Sequence, residues 1–285
     1  MFLPRQPAGR LLMVMVLLLL VSACGVKFVY NKLDWLIPWY IDDYVSLNAQ
    51  QEMLLDQRLV AYLARHRREQ LPVYADFFEQ VASAAEDGLD SAELDQLIAR
   101  TETFGNELFA SIASSFYEIF SQLSDDQIQE IRRNLQDKNL ELEERYVERE
   151  ARYQRQTRAE DMQKFLQRWL GDLRDEQVVM IEDWAQRYRL MGAEFMQSRL
   201  GWQQRFFEVL ELRDDPQAFK PALIELFSTR YLQRSPAHQA KFEFNEALLK
   251  DLYQRLDGTL SSYQRYNLQA ELRDYAGDFR ELSSE

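Results

Sequence analysis

The sequence predicts an all-α protein, and three observations carry that reading. Glycine and proline are scarce, with 9 and 7 copies in 285 residues, while Leu, Gln, Glu, Arg and Ala abound, a helix-forming composition. Apolar residues recur at helical spacing: Ile128, Ile131, Leu135 and Leu142 follow one another by three, four and seven positions. No run of alternating Val, Ile or Thr reads as a strand.

Punctuation sets the elements in order. A short helix is expected over 31–44, interrupted at Pro38, because proline disfavours helical geometry in the residue before it. A second spans 48–70. Pro72 kinks or restarts it, and that piece ends near Gly88. A third covers 91–122. Ser124 opens a fourth that continues toward Trp169, just before Gly171, and a fifth covers 175–212, stopping ahead of Asp214-Asp215-Pro216. Helices at 217–233, 236–256 and 262–282 complete an elongated, antiparallel arrangement. Within the fourth, residues 139–160 are dominated by Glu, Arg and Gln, which reads as a solvated two-sided helix. Its apolar seam is too thin for a sustained coiled-coil arm.

The N-terminal stretch has a different composition. Arg5 and Arg10 precede an uncharged apolar run at 11–21, LLMVMVLLLLV. That run is shorter than the roughly 20 residues a spanning helix needs, and its flanks fit an export signal. Val21-Ser22-Ala23-Cys24 follows, and Cys24 is the only cysteine of the chain. These four residues resemble the lipobox of bacterial lipoproteins, in which Val21, Ser22 and Ala23 are read by the signal peptidase and Cys24 carries lipid. The resemblance implies a signal peptide at 1–23, a mature domain at 24–285, and a covalent diacylglycerol with an N-acyl chain such as palmitate on Cys24. More than one acyl chain gives stable anchoring. A lone thiol in an exported chain makes no internal disulfide, which suits this use. An uncleaved anchor with a chance cysteine is the competing reading. Gly25 stands where inner-membrane lipoproteins often carry Asp, so the resemblance implies the outer membrane, periplasmic face.

Charge narrows the partners. The chain carries −13 at pH 7, and loss of residues 1–23 with Arg5 and Arg10 takes the mature form to −15. Nucleic acid is excluded as a natural partner, since phosphates reward a basic surface. Broad adhesion to anionic lipid is disfavoured for the same reason.

One local pattern recurs: Leu-x-x-x-Gln at Leu47–Gln51, Leu123–Gln127, Leu173–Gln177 and Leu260–Gln264. Its physical core is a helix start. In LSDDQ, Ser124 caps free N–H groups, Gln127 returns a bond three residues on, and Leu123 packs as a staple. Asp125 and Asp126 sit in the first turn, where the helix dipole favours acids. Arg174 departs from the hydroxyl position. The four copies are similar to the Leu-Thr-x-x-Gln motifs of Spy-type periplasmic chaperones, which implies an all-helical protein that cradles unfolded clients. Capping chemistry alone is the plainer account.

The blocks YNKLDWLIPWYIDDYV (Tyr30–Val45), RHRREQLPVY (Arg65–Tyr74) and LSSYQRYNLQAELRDYAGDFREL (Leu260–Leu282) resemble a family of proteobacterial lipoproteins of unknown function. That resemblance implies a lipid anchor and a helical fold, and it carries over no catalytic residues.

Two clusters are candidate contact sites. Phe28, Tyr30, Trp35, Trp39 and Tyr40 follow the anchor almost at once. The spacing of Leu33, Leu36, Ile37, Tyr40, Ile41 and Tyr44 predicts docking into the core. The alternative places the aromatic rings at the membrane interface. Arg65, Arg67 and Arg68 surround His66 in the one dense basic cluster. They are expected to close a helix before Pro72, where cations suit the dipole, with an anion contact as the alternative. His66 and His238 are the only histidines and no zinc spacing is present, so no metal or other cofactor is expected. No carboxylate pair, Gly-rich loop or nucleophile elbow stands out, so no catalytic residue is named and an enzyme is not expected. What remains is a protein-binding module acting on other envelope proteins, in envelope maintenance or as a chaperone-like protein, with a structural subunit of an envelope complex as the alternative. Phe104, Phe109, Phe116, Tyr117 and Phe120 crowd one helix and Phe206, Phe207, Phe219 and Phe227 another region. Most are expected in the core, and any few left exposed on a concave face would offer the apolar contact that client binding requires.

Overall fold

A computed structural model describes residues 23–86, 88–228 and 234–285. The signal-peptide reading, with Val21 and Ser22, lies outside these residues except at Ala23, where the first helix begins. Twelve α-helices are present among the described residues, and no strand: α1 Ala23–Tyr30, α2 Leu33–Ile41, α3 Ala49–Glu69, α4 Leu71–Ala84, α5 Ser91–Ser121, α6 Asp125–Glu143, α7 Ala151–Leu170, α8 Asp175–Arg187, α9 Gly192–Leu210, α10 Pro216–Ser228, α11 Pro236–Asp257 and α12 Ser262–Ser284. The fold is all-α and elongated, as the composition requires.

Helix starts follow the capping chemistry. Asn48, Asp90, Ser124, Ser235 and Ser261 each accept a bond from a first-turn N–H with their side chains. Pro72 restarts the chain as expected, in the first turn of α4, with Gln70 alone between α3 and α4. Pro38 behaves differently. It lies inside α2 instead of interrupting it, and only three residues follow it there, so little of the helix depends on the missing N–H.

The two longest expected helices are each divided. The fourth passes into a π-helical stretch, Glu144–Glu148, and stops at Arg149 before α7 resumes. The fifth breaks at Tyr188–Met191 between α8 and α9. These two breaks meet in space. A Cβ on Gly192 would fall 1.9 Å from the Tyr146 carbonyl oxygen, so only glycine permits this approach. Asn245 of α11 holds the second break open, accepting from the Arg189 N–H at 2.9 Å and donating to the Arg189 carbonyl at 2.8 Å. Lys241 donates to the Leu190 carbonyl at 3.0 Å. Backbone groups that leave a helix need such partners when water is excluded.

Three apolar clusters form the interior. One joins α5, α6, α9 and α10 around Phe219, Leu223, Leu210 and Ile131. A second joins α7, α8 and α11 around Ile181, Trp184 and Leu252. The third ties α1 to α4 and α12 through Val26, Tyr30, Leu71, Tyr275 and Leu282. Among the described residues no helix is long and apolar enough to cross a membrane.

Candidate functional site

The four Leu-x-x-x-Gln helix starts come together in two pairs. Gln51 and Gln127 face each other, each amide donating to the other's carbonyl: Gln51 Nε2 to Gln127 Oε1 at 3.0 Å, Gln127 Nε2 to Gln51 Oε1 at 2.7 Å. Each Oε1 also accepts from its own cap residue, Asn48 N–H at 2.9 Å and Ser124 N–H at 3.0 Å. The remaining amide hydrogens cross over, Gln51 to the Gln122 carbonyl and Gln127 to the Ser46 carbonyl, both at 2.8 Å. Each glutamine thereby reaches the residue five positions before its partner, and both amides use two donors and two acceptors.

Gln177 and Gln264 repeat this arrangement. Their mutual bonds are 3.1 Å and 2.9 Å, and their carbonyls accept from Arg174 N–H at 2.9 Å and Ser261 N–H at 3.1 Å. Gln264 donates to the Asp172 carbonyl at 2.9 Å. Gln177 donates to the Thr259 hydroxyl at 3.2 Å, a side chain in place of a carbonyl. Of the four glutamines only Gln127 is half-buried; Gln51, Gln177 and Gln264 are buried. The leucines of the first pair, Leu47 and Leu123, enter the α5–α6–α9–α10 cluster, and Leu173 and Leu260 enter the α7–α8–α11 cluster. The motif is therefore more than a cap: it is a two-part junction between distant helix starts. Sequence reasoning found the four copies and their capping role but not the pairing, for which only the equal spacing of Leu and Gln was a signal.

Large apolar side chains stand exposed beside three of these glutamines, two residues on and turned away from the junction. They are Met53, Val179 and Tyr266, at 67%, 62% and 68% exposure, with Tyr263 close by. The aromatic residues named from sequence do not fill this role. Phe206, Phe207 and Phe219 are buried, and Phe104, Phe109, Phe116, Tyr117, Phe120 and Phe227 are half-buried. These side chains close helix against helix, as expected for most of them, and Phe120, Phe206, Phe227 and Trp202 do so around one another.

The aromatic block from Phe28 to Tyr40 divides. Tyr30 docks, its hydroxyl 2.9 Å from His66 Nδ1. Tyr40 is half-buried and bonds Tyr44 at 2.8 Å; burial, then that bond, push its hydroxyl well above the usual range. Phe28 and Trp35 are exposed, and Trp39 is half-buried and stacked on Trp35 at 6.0 Å. Full docking of this block is thus corrected: α2 has no buried residue.

The basic cluster does not converge on one point. His66, Arg67 and Arg68 occupy the last turn of α3, the position expected from the dipole. Arg67 is engaged by Glu285 at 3.0 Å and Asn31 at 2.6 Å and lies over the Tyr30 ring. Arg68 is exposed. Arg65 turns the other way, bonds Ser115 at 2.9 Å, and lines an open cleft of about 290 Å³ with Arg58, Glu118 and Lys220. His66 packs among Tyr30, Tyr62 and Tyr74. Burial, then the nearby Arg65 charge, lower its pKa to about 4. His238 bonds Ser198 at 3.1 Å, far from His66 in sequence. Among the described residues no group of three or more His, Cys, Asp or Glu is placed to hold a metal ion.

The fold defines the chain as an all-α, elongated multi-helix protein. The chain belongs to the family of unknown function DUF6279, whose model matches residues 43–234. That span holds Gln51, Gln127 and Gln177 but stops before Gln264, and of the three sequence blocks it includes Arg65–Tyr74, the last residues of Tyr30–Val45 and none of Leu260–Leu282. No curated protein and no solved structure matches the chain.

Proposed function

We propose that this chain is a lipid-anchored protein of the bacterial envelope, held at the periplasmic face of the outer membrane through Cys24, whose helical body binds other envelope proteins in a chaperone-like manner. The observation that carries the reading is the set of exposed apolar side chains beside the glutamine junctions. Met53, Val179, Tyr263 and Tyr266 offer adaptable contact on a surface otherwise rich in charge. The similarity of the motif to Spy-type chaperones points the same way. The reading assigns no catalytic residue, metal or cofactor beyond the acyl chains.

The test is suppression of aggregation. The chain from residue 24 on, carrying Cys24→Ser, should keep a denatured client soluble at near-stoichiometric ratio without ATP. The triple variant Val179→Ser, Tyr263→Ser, Tyr266→Ser should lose most of that effect while keeping its helical circular dichroism. No suppression at several-fold excess removes the chaperone-like reading. A structural subunit of an envelope complex is then favoured. Stoichiometric capture of a single protein from crosslinked membranes would identify that case.

A further inference from the structure

The helix α2, LDWLIPWYI, is almost wholly apolar, yet none of its nine residues is buried. Such a helix normally lies in a core. Trp35 is 62% exposed and stacks on Trp39 with an interplanar angle of 11°, so the two indoles present one broad surface. Phe28, one turn after Cys24 in α1, is 66% exposed. Lys32 and Asp34 lie at the start of α2 and Asp42 and Asp43 follow its last residue, while the stretch between them carries no charge. Indole rings beside an apolar helix are the side chains that favour the headgroup region of a bilayer.

The chain on either side argues for the same occupant. The apolar run 11–21 lies immediately before α1, and the lipobox cysteine, Cys24, is the second residue of that helix. The helix that follows is no loose tether. Val26 and Tyr30 dock on Leu71, Tyr275 and Leu282. Lys27 bonds Glu281 at 2.6 Å and faces Asp278 at 3.4 Å. Asn31 bonds Glu285 at 3.2 Å. An acyl group on Cys24 would therefore be coupled through α1 to the body, with Phe28 one turn along the same helix and α2 following after Asn31 and Lys32.

We infer that Phe28, Trp35 and Trp39 form a membrane seat: they enter the lipid headgroup region beside the anchor and fix the orientation of the helical body on the bilayer. Tyr30 and Tyr40, drawn inward by His66 and Tyr44, take no part. The seat is held by apolar contact, so zwitterionic lipid suffices and salt has little effect. It depends on the lipid-anchor reading only for the nearness of the bilayer.

The experiment uses the full-length protein, purified from membranes and reconstituted in phosphatidylcholine vesicles containing lipid brominated near the headgroup. Trp169, Trp184 and Trp202 are replaced by Phe, leaving Trp35 and Trp39 as the emitters. Bromine is expected to reduce their emission by about half, at low and high salt alike. Should that variant misfold, the opposite one serves: Trp35→Phe with Trp39→Phe should abolish the quenchable part of the wild-type emission. Emission unaffected by bromolipid in both proteins overturns the seat. So does concentration-dependent dimerisation in detergent that protects these tryptophans, since the face would then belong to a second copy. Intact mass reports acylation of Cys24 separately. An acylated protein without quenching ends the seat and leaves the anchor, whereas quenching of an unmodified chain does the reverse.

Discussion

The two glutamine junctions are built on one plan, yet they sit in different surroundings. At Gln51–Gln127 one amide is half-open to solvent, both crossing bonds end on backbone carbonyls, and both caps have polar acceptors, Asn48 and Ser124. At Gln177–Gln264 both amides are buried, one crossing bond ends on the Thr259 hydroxyl, and Arg174 supplies no side-chain cap. The difference shows that a junction of this plan can close without one of its side-chain caps. The second junction closes without one cap side chain, while every mutual amide bond is kept. Complete satisfaction is what permits such polar groups to be buried at all.

The largest effect should come from breaking the buried pair. Gln264→Ala leaves Gln177 with a buried donor and acceptor unmatched and should lower unfolding stability by about 3 kcal/mol; Gln127→Ala, where water can replace the lost bonds, should cost about 1–2 kcal/mol. Denaturant titrations of both variants measure the gap, and equal losses would erase the distinction drawn here. The double variant Gln177→Leu with Gln264→Leu should cost more than Gln264→Ala alone, because it also strands the Arg174 N–H group that Gln177 serves, beside the Ser261 N–H and the Asp172 carbonyl.

A buried polar group that titrates sharpens the contrast, since amides do not respond to pH. His66 has its folded pKa lowered from 6.5 to about 4 by burial, then by Arg65. The unfolded chain therefore takes the proton first as pH falls. Stability present above pH 6.5 is lost progressively down to pH 4, on the order of 2 kcal/mol for a partly exposed ring. His66→Phe keeps the packing against Tyr62 and Tyr74 and should remove this part of the acid sensitivity. Parallel pH profiles that coincide for the two proteins would show that the histidine is not responsible.

Gly192 tests how the junction-bearing halves meet. Gly192→Ala forces a methyl group against the Tyr146 carbonyl and should destabilise by about 1–2 kcal/mol, a typical overpacking loss. Thermal melting with no change in Tm would place the contact outside the folded ensemble.

The smallest change restores what one junction lacks. Arg174→Ser supplies the missing cap at α8 and should stabilise by about 0.5 kcal/mol net. The exposed Arg174–Glu176 ion pair, lost in exchange, contributes little. A measured loss would show that the arginine has a role its side chain does not reveal.

Sequence by itself determined the class of fold, because helix propensity, apolar spacing and caps are local and act within a few residues. It placed helix starts near Asn48, Ser91, Asp125, Asp175, Pro236 and Ser262, and it read the Ser124–Gln127 box correctly. The closing position of His66, Arg67 and Arg68 on α3 was legible for the same reason. What only the tertiary structure decided involves partners far along the chain. The long helices break at 144–150 and 188–191 because Asn245, Lys241 and the Gly192–Tyr146 approach satisfy or require the departing backbone, from positions up to 56 residues away. The glutamine pairs join residues 76 and 87 apart. Spacing along one helix has no means of encoding such contacts. Nor does it say which apolar side chains find a cover: Phe219 and Trp35 are equally apolar in sequence, and packing alone buried the first and left the second exposed.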